Sequence, residues 1–335
     1  MRANQVPSPC GFILGAVMAL LLVSAPLSAQ NRASWLKEAK WGVMSHYMAE
    51  WIAPEAHESV EAWNRMVDGF DVKGLAEQLE SVGAGYYLIT IGQNSGYYIA
   101  PNATYDKLVG NGPSKNSRRD LVADLYDELH PRGIQLMVYL PSGAPNSDKK
   151  AVAAIEWQNG PYRNREFQLK WEQVIREWGE RWGEKVAGWW FDGCYWPNTM
   201  YRTKDAPNFE SFAAAARAGN PNRAVSFNPG TIYRTISITP HEDFIAAEHD
   251  DPARTDVNRV TGGNVDGAQL HVLSYRGRRW GRTPPRFTTE QVITFTQNII
   301  QQGGAFTWDV PAQPDGLIPE SFMEQLQALH QALSN

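Results

Sequence analysis

Short apolar runs of strand length recur eight times along this chain, and stretches with helical spacing stand between most of them. No other feature constrains the fold as strongly. A strand covered by helices on both faces of a parallel sheet reads as a nearly unbroken apolar run. The runs are Trp41–His46, Gly85–Ile91, Ile134–Leu140, Val186–Phe191, Ala224–Phe227, Phe244–Ala247, Leu270–Leu273 and Ala305–Trp308, the sixth and seventh being the weakest. Helical spacing falls first at Asp71–Val82, where Val72, Leu75, Leu79 and Val82 share a face and Gly83 follows. It returns at Arg118–Leu129, ended by Pro131 and Gly133, and at Asn164–Trp182, with Phe167, Trp171, Val174, Ile175 and Trp178 on one face. Phe209–Ala218, Thr288–Gln302 and Pro319–Leu333 complete the set, the last with Pro319 at the helix start.

Eight such units in a chain of 335 residues fit a single (β/α)8 barrel, a fold that typically takes ~250. The rival is a doubly wound open sheet, which would show a glycine-rich turn after its first strand. Here "SHYMAEW", Ser45 to Trp51, follows instead. No Pro/Ser/Gly linker divides the chain, so residues 30–335 read as one domain. Ahead of it stand Arg2, the apolar stretch Phe12–Val23 and the small residues Ser24–Ala29. That is the layout of a signal peptide over residues 1–29, and the expectation is a secreted or periplasmic protein. Without Arg2, 30 of the 31 basic residues remain against 36 acidic ones. This balance gives no reason to expect nucleic acid, or a membrane beyond export, as partner. Of the two cysteines only Cys194 lies past the leader, so no internal disulfide is expected.

In such a barrel the working side chains stand at the C-terminal ends of the strands. Polar residues gather there: His46, Gln93 with Asn94, Tyr139 with Ser142, Asp192, Asn228, Glu248 with His249 and Asp250, Ser274 with Tyr275, and Asp309. Asp192 ends the fourth run and sits among aromatics. A carboxylate so placed is costly unless it has partners or chemistry to perform. Glu248-His249-Asp250-Asp251 offers metal-ligand residue types without the spacing of a metal signature, so neither a metal nor a cofactor is expected. Cys194 has no base near it in sequence and reads as a structural thiol.

Several motifs resemble, in order, those of the family 29 glycoside hydrolases, the α-L-fucosidases and their relatives. "WGVMSHY" is similar to the family's first strand, Phe-Gly-Ile-Phe-Ile-His-Trp, with His46 on its histidine. "AEQLESVGAGYYLITIG" resembles the second unit, and "SRRDLVADLYDELHPRGIQLMVYL" the third. "WWFDG" resembles the nucleophile strand, and "QGGAFTWDVPAQPDGLIPE" the Gly-Gly-Asn-Leu-Leu-Leu-Asn-Ile-Gly-Pro segment near the C-terminus. The resemblance runs from about Trp35 to Leu333. It implies an exported, retaining exo-glycosidase that removes a terminal α-linked sugar, fucose or a related and perhaps anionic one. Asp192 would be the nucleophile. The C-terminal β-sandwich of many members is not expected in this chain.

There are departures. The family's Lys-His-His-Asp-Gly-Phe after the second strand is replaced by "GQNSGYY", which puts Gln93 and Asn94 where two histidines would stand. The family's later Trp-Glu falls on Leu270 and His271. A retaining hydrolase needs a second carboxyl ~5–5.5 Å from the first. Glu248 is the candidate acid/base, with Asp250 and Asp251 as competitors and His271 as an outside alternative. The candidate substrate-binding set is His46, Tyr47, Gln93, Asn94, Tyr139, Trp190, Asn228, His271 and Trp280. Arg276, Arg278, Arg279, Arg282 and Arg286 crowd one segment; they read either as a solvated loop or as a clamp for carboxylate or sulfate on an anionic glycan. The partner expected is the non-reducing end of an oligosaccharide or polysaccharide. The alternative from a different class is a catalytically silent barrel that binds glycans.

Overall fold

The computed structural model describes residues 1, 32–110, 112–195 and 201–334. Residues 2–29 of the expected leader, and Trp196, lie outside the described residues. The strands are β1 Trp41–Ser45, β2 Tyr86–Thr90, β3 Gln135–Pro141, β4 Gly188–Asp192, β5 Ala224–Phe227, β6 Asn264–Val265, β7 Ala268–Gln269, β8 His271–Tyr275 and β9 Ala305–Val310. The long helices follow the spacing of the sequence: Val72–Ser81, Leu121–Leu129, Arg165–Trp182, Phe209–Ala216, Thr289–Gln301 and Glu320–Ser334. Side-chain caps set several of their starts. Asp71 accepts from Gly74 N and Asp120 from Ala123 N, while Asn208 and Thr288 form capping boxes with Ser211 and Gln291. Three further helices, Ser34–Ala39, Val60–Asp68 and Ala103–Val109, lie outside the spacings that periodicity picks out.

Seven parallel strands make one curled sheet in the order β5-β4-β3-β2-β1-β9-β8, as in a (β/α) barrel. Side chains alternate across it with period two. Met44, Leu88, Met137, Tyr139, Trp190 and Leu273 fill the inside of the curl. Val43, Ile89, Val138, Trp189, Phe191 and Val272 face the helices. The first short helix brings Leu36 into the inner cluster, and Trp35 meets Tyr86 edge-on.

Among the described residues the eighth regular strand is missing, which corrects the expectation of a closed eight-stranded barrel. Residues 243–249 occupy its place between β5 and β8, with Phe244 and Ala246 inside and Ile245 and Ala247 outside. Towards β7 and β8 they pair through isolated bridges, Phe244 with Gln269 and Glu248 with Leu273, and towards β5 Asp243 N donates to the Val225 carbonyl at 2.8 Å. Two causes are visible. On the β5 side, carboxylates do the work of a neighbouring backbone: Val225 N donates to Asp243 Oδ2 at 2.9 Å and Phe227 N to Glu242 Oε2 at 3.2 Å. On the β8 side, Ala247 has φ 39°. A side chain rarely takes that left-handed backbone, and it breaks the ladder one residue before Glu248.

Candidate active site

Strand register brings the ends of the strands level. Pro141 pairs with Asp192, Phe191 with Phe227, and Met44 with Asp309. Asp192 shares the parity of Trp190 and turns inward. Its Oδ2 accepts from Tyr139 Oη at 2.6 Å, and its Oδ1 accepts from Gly193 N at 2.7 Å and Asn228 Nδ2 at 2.8 Å. Gln93 Nε2 donates to the same tyrosine hydroxyl at 2.8 Å. These bonds place a partly buried carboxylate with fixed geometry at the mouth of the sheet.

Asn228 is the joint of the site. The nitrogen that donates to Asp192 also donates to Glu248 Oε2 at 2.5 Å. Both carboxylate oxygens lie within 2.8 Å of one atom. Their spacing is therefore compatible with the ~5–5.5 Å of a retaining pair. Burial, reinforced by the negative charge of Asp192, pushes Glu248 up to about 7, against the pull of the Asn228 bond. A carboxyl raised that far keeps its proton on a substantial fraction of molecules near neutral pH, as an acid catalyst requires. Neither competitor lines this pocket: Asp251 caps a short 3-10 turn through Ala253 N, and the Asp250 side chain bonds to Tyr275.

His46 Nδ1 is bonded to Asp309 Oδ1 at 2.7 Å, and Gly281 N holds the other oxygen of Asp309 at 2.6 Å. That leaves Nε2 of His46 for a hydroxyl. Trp51, Tyr139 and Trp280 surround the ring, with centroids 5.2, 5.5 and 5.7 Å away. His46, Gln93, Tyr139, Trp190, Asp192, Glu248 and Trp280 thus line one pocket, and Asn94 lines a cleft beside it. Asp309 is legible in the sequence as a strand-end acid, but without a role. Sequence reasoning misses Trp51, in the short helix Ala49–Ile52, because nothing in "AEWI" distinguishes it from a packing residue.

Two candidates are corrected. Tyr47 alternates with His46 and points outward, where its hydroxyl donates to the carbonyls of Met66 and Pro314 and its ring packs on Phe70. His271 faces inward but begins β8, two residues below Leu273. It is buried against Thr307 Oγ1 at 2.7 Å and the Ile245 carbonyl at 3.1 Å, and burial pulls it down to about 4. It is a neutral polar link in the barrel interior, not part of the pocket.

The arginine segment divides. Arg276 is fully buried against the last helix and bonds to Gln325; Arg286 stacks on Tyr275 at 3.6 Å. Arg282 lies over Trp51. Arg278 and Arg279 precede Trp280 in the sequence, and both are exposed. His249 has both ring nitrogens engaged, by Thr255 and Ile232, and no group of three metal-ligating side chains gathers among the described residues. Cys194 is buried, which pushes its thiol up to about 12 and keeps it protonated.

A family model for α-L-fucosidase matches residues 57–334. No curated protein matches the chain by sequence. Among solved structures, the endo-fucoidan hydrolase MfFcnA4 from glycoside hydrolase family 107 superposes with a TM-score of 0.72 at 16% identity, over 93% of this chain and 54% of that one. The chain therefore spans about half the length of that protein. The α-L-fucosidase isoenzyme 1 from Paenibacillus thiaminolyticus gives 0.64 at 17% identity, over 91% of this chain and 76% of that one. The α-L-fucosidase AlfC from Lactobacillus casei, in complex with α-L-fucose, gives 0.62 at 16%, over 90% and 97%. At such identities the structural likeness concerns the fold. The family match covers most of the chain, and the protein belongs to the α-L-fucosidase family of glycoside hydrolases.

Proposed function

We propose that this protein is an exported retaining hydrolase of α-linked fucose-type sugars, with Asp192 as nucleophile and Glu248 as acid/base. The observation that carries the reading is the single Asn228 amide nitrogen bonded to both carboxylates, one of them raised to about 7. In the first step Asp192 attacks the anomeric carbon. The bond to the leaving oxygen breaks, and Glu248 gives that oxygen its proton. In the second step Glu248, now a carboxylate, takes a proton from water. The water oxygen forms its bond to the anomeric carbon as the bond to Asp192 breaks.

His46, Gln93 and Trp280 supply hydroxyl partners and an apolar wall for the ring. Two neutral amides replace the family's histidines, so the hydroxyl pattern preferred here differs from that of plain α-L-fucosides. Arg278 and Arg279 stand next to Trp280 in the chain, where a sulfate or carboxylate on the glycan would meet them.

The test is kinetic. Asp192→Ala should lower kcat on an aryl fucoside by roughly 10³-fold or more. Glu248→Ala should spare substrates with a good leaving group and cripple those with a poor one, with azide restoring turnover as a glycosyl azide of retained configuration. Product of inverted configuration from the intact enzyme would rule out this pair of roles.

A further inference from the structure

Beside the pocket lies a larger cleft of about 460 Å³, which meets it at Gln93 and Asp192. The pocket itself measures about 80 Å³. Ligand sites ordinarily hold roughly 300–1,000 Å³. The space between Asp192 and Glu248 is thus too small to be the whole binding site, and the cleft supplies the rest.

The wall of the cleft is a prepared aromatic surface. Trp157 is half-buried, and its Nε1 donates to Asn146 Oδ1 at 2.9 Å and Asn159 Oδ1 at 3.0 Å. Phe167 meets the indole edge-on, with ring centroids 4.6 Å apart. Gly143 lies so near that a Cβ there would stand 2.9 Å from the ring. Each contact removes freedom that a surface tryptophan otherwise keeps. Tyr195 lines the cleft on the Asp192 side and is 47% exposed. A rigid apolar ring with amides at its rim suits the face of a pyranose and the hydroxyls around it. Among the described residues Asp192 is the one charged side chain in the lining, so the wall they form favours a neutral sugar face.

We propose that this cleft is a second sugar subsite, with Trp157 as its platform, for the neighbouring unit of an α-linked fucose-type chain. The inference rests on the roles given to Asp192 and Glu248. A nucleophile and a leaving group stand on opposite faces of the anomeric carbon, and the acid stands with the leaving group. The cleft opens beside Asp192 and is not lined by Glu248. Its occupant is therefore the part of the substrate retained on the enzyme, not the part released. The sugar at Asp192 is then an internal unit, and the protein cuts within chains, where the motifs alone imply removal of a terminal sugar.

The experiment uses the full protein with an aryl α-L-fucoside and with end-labelled fucose oligosaccharides of two to five units. The first products from the tetrasaccharide should retain two or more sugars on the non-reducing side. Trp157→Ala should lower kcat/KM for the tetrasaccharide, relative to the aryl fucoside, by roughly tenfold or more, and Trp157→Phe should recover most of that ratio. Stepwise release of single sugars, or an equal effect of Trp157→Ala on both substrates, overturns the subsite while leaving the hydrolase reading in place. Failure of the intact protein to cut any of these substrates or their sulfated forms overturns both.

Discussion

The sheet from β1 to β5 and the stretch between β5 and β8 solve one problem in two ways. In the first region, backbone ladders satisfy the strands, and side chains are left to pack. In the second, side chains satisfy the backbone. Asp243 takes the amide of Val225 while bonded to Arg217 at 2.6 Å and Arg32 at 3.3 Å, and Glu242 takes the amides of Phe227 and Ile238. The first arrangement is indifferent to pH. The second buries two carboxylates in the barrel wall within a few residues of Glu248. The site straddles the seam, with Asp192 on a regular strand, Glu248 on the irregular stretch and Asn228 tying them together.

The largest effect on stability should come from cutting the irregular wall at its anchor. Asp243→Ala leaves Arg217 without its carboxylate and Val225 N without an acceptor, an expected loss of about 3–5 kcal/mol in denaturant unfolding. Asp127→Ala, which removes the exposed partner of Lys185 at the regular end of the molecule, should stay within ~1 kcal/mol. Equal losses would erase the contrast. Next comes the seam. Asn228→Ala should lower kcat by roughly 10²-fold. It should also move the alkaline limb of the pH profile upward. In the proposed roles the acid form of Glu248 is the active one, so activity should fall as pH rises through about 7, and the Asn228 bond holds that value down. A downward or absent shift would detach Asn228 from Glu248.

The smallest effect is a slope. Burial pushes Glu242 up to about 8 from an ordinary 4.5. Between those values the folded protein keeps a proton that the unfolded chain releases, so this contribution to stability is lost as pH rises through the window. Glu242→Gln keeps an acceptor for one of the two amides and cannot titrate, so the comparison is of slopes with pH and not of absolute stability. Its melting temperature should fall less steeply than that of the parent from pH 5 to pH 8. Parallel curves would place the buried titration elsewhere.

Along the regular strands, much of the site is legible in the amino-acid sequence alone. Asp192, Gln93 and Tyr139 stand at the ends of apolar runs, and a run long enough to read is long enough to aim its last side chain. Period two also separates His46 from Tyr47, yet the motif that suggests both carries no parity, which is why Tyr47 falls wrongly among the expected site residues. Depth is the second thing the sequence hides. His271 shares the inward parity of Leu273 but begins its strand, and a position along the barrel axis depends on register with β9, which pairs residues more than thirty apart in sequence.

The sequence by itself determined that strands and helices alternate, that they form a parallel sheet, and that Asp192 stands at the end of the fourth strand. These follow from local periodicity and burial, which each segment states for itself. Only the tertiary structure decided that the sixth strand gives way to carboxylates, that Trp51 closes the pocket, and that one amide nitrogen joins Asp192 to Glu248. Each of these is a contact between segments whose local pattern is silent about the other. Its energy comes from burying polar groups together, and it exists only once the chain has brought them within reach.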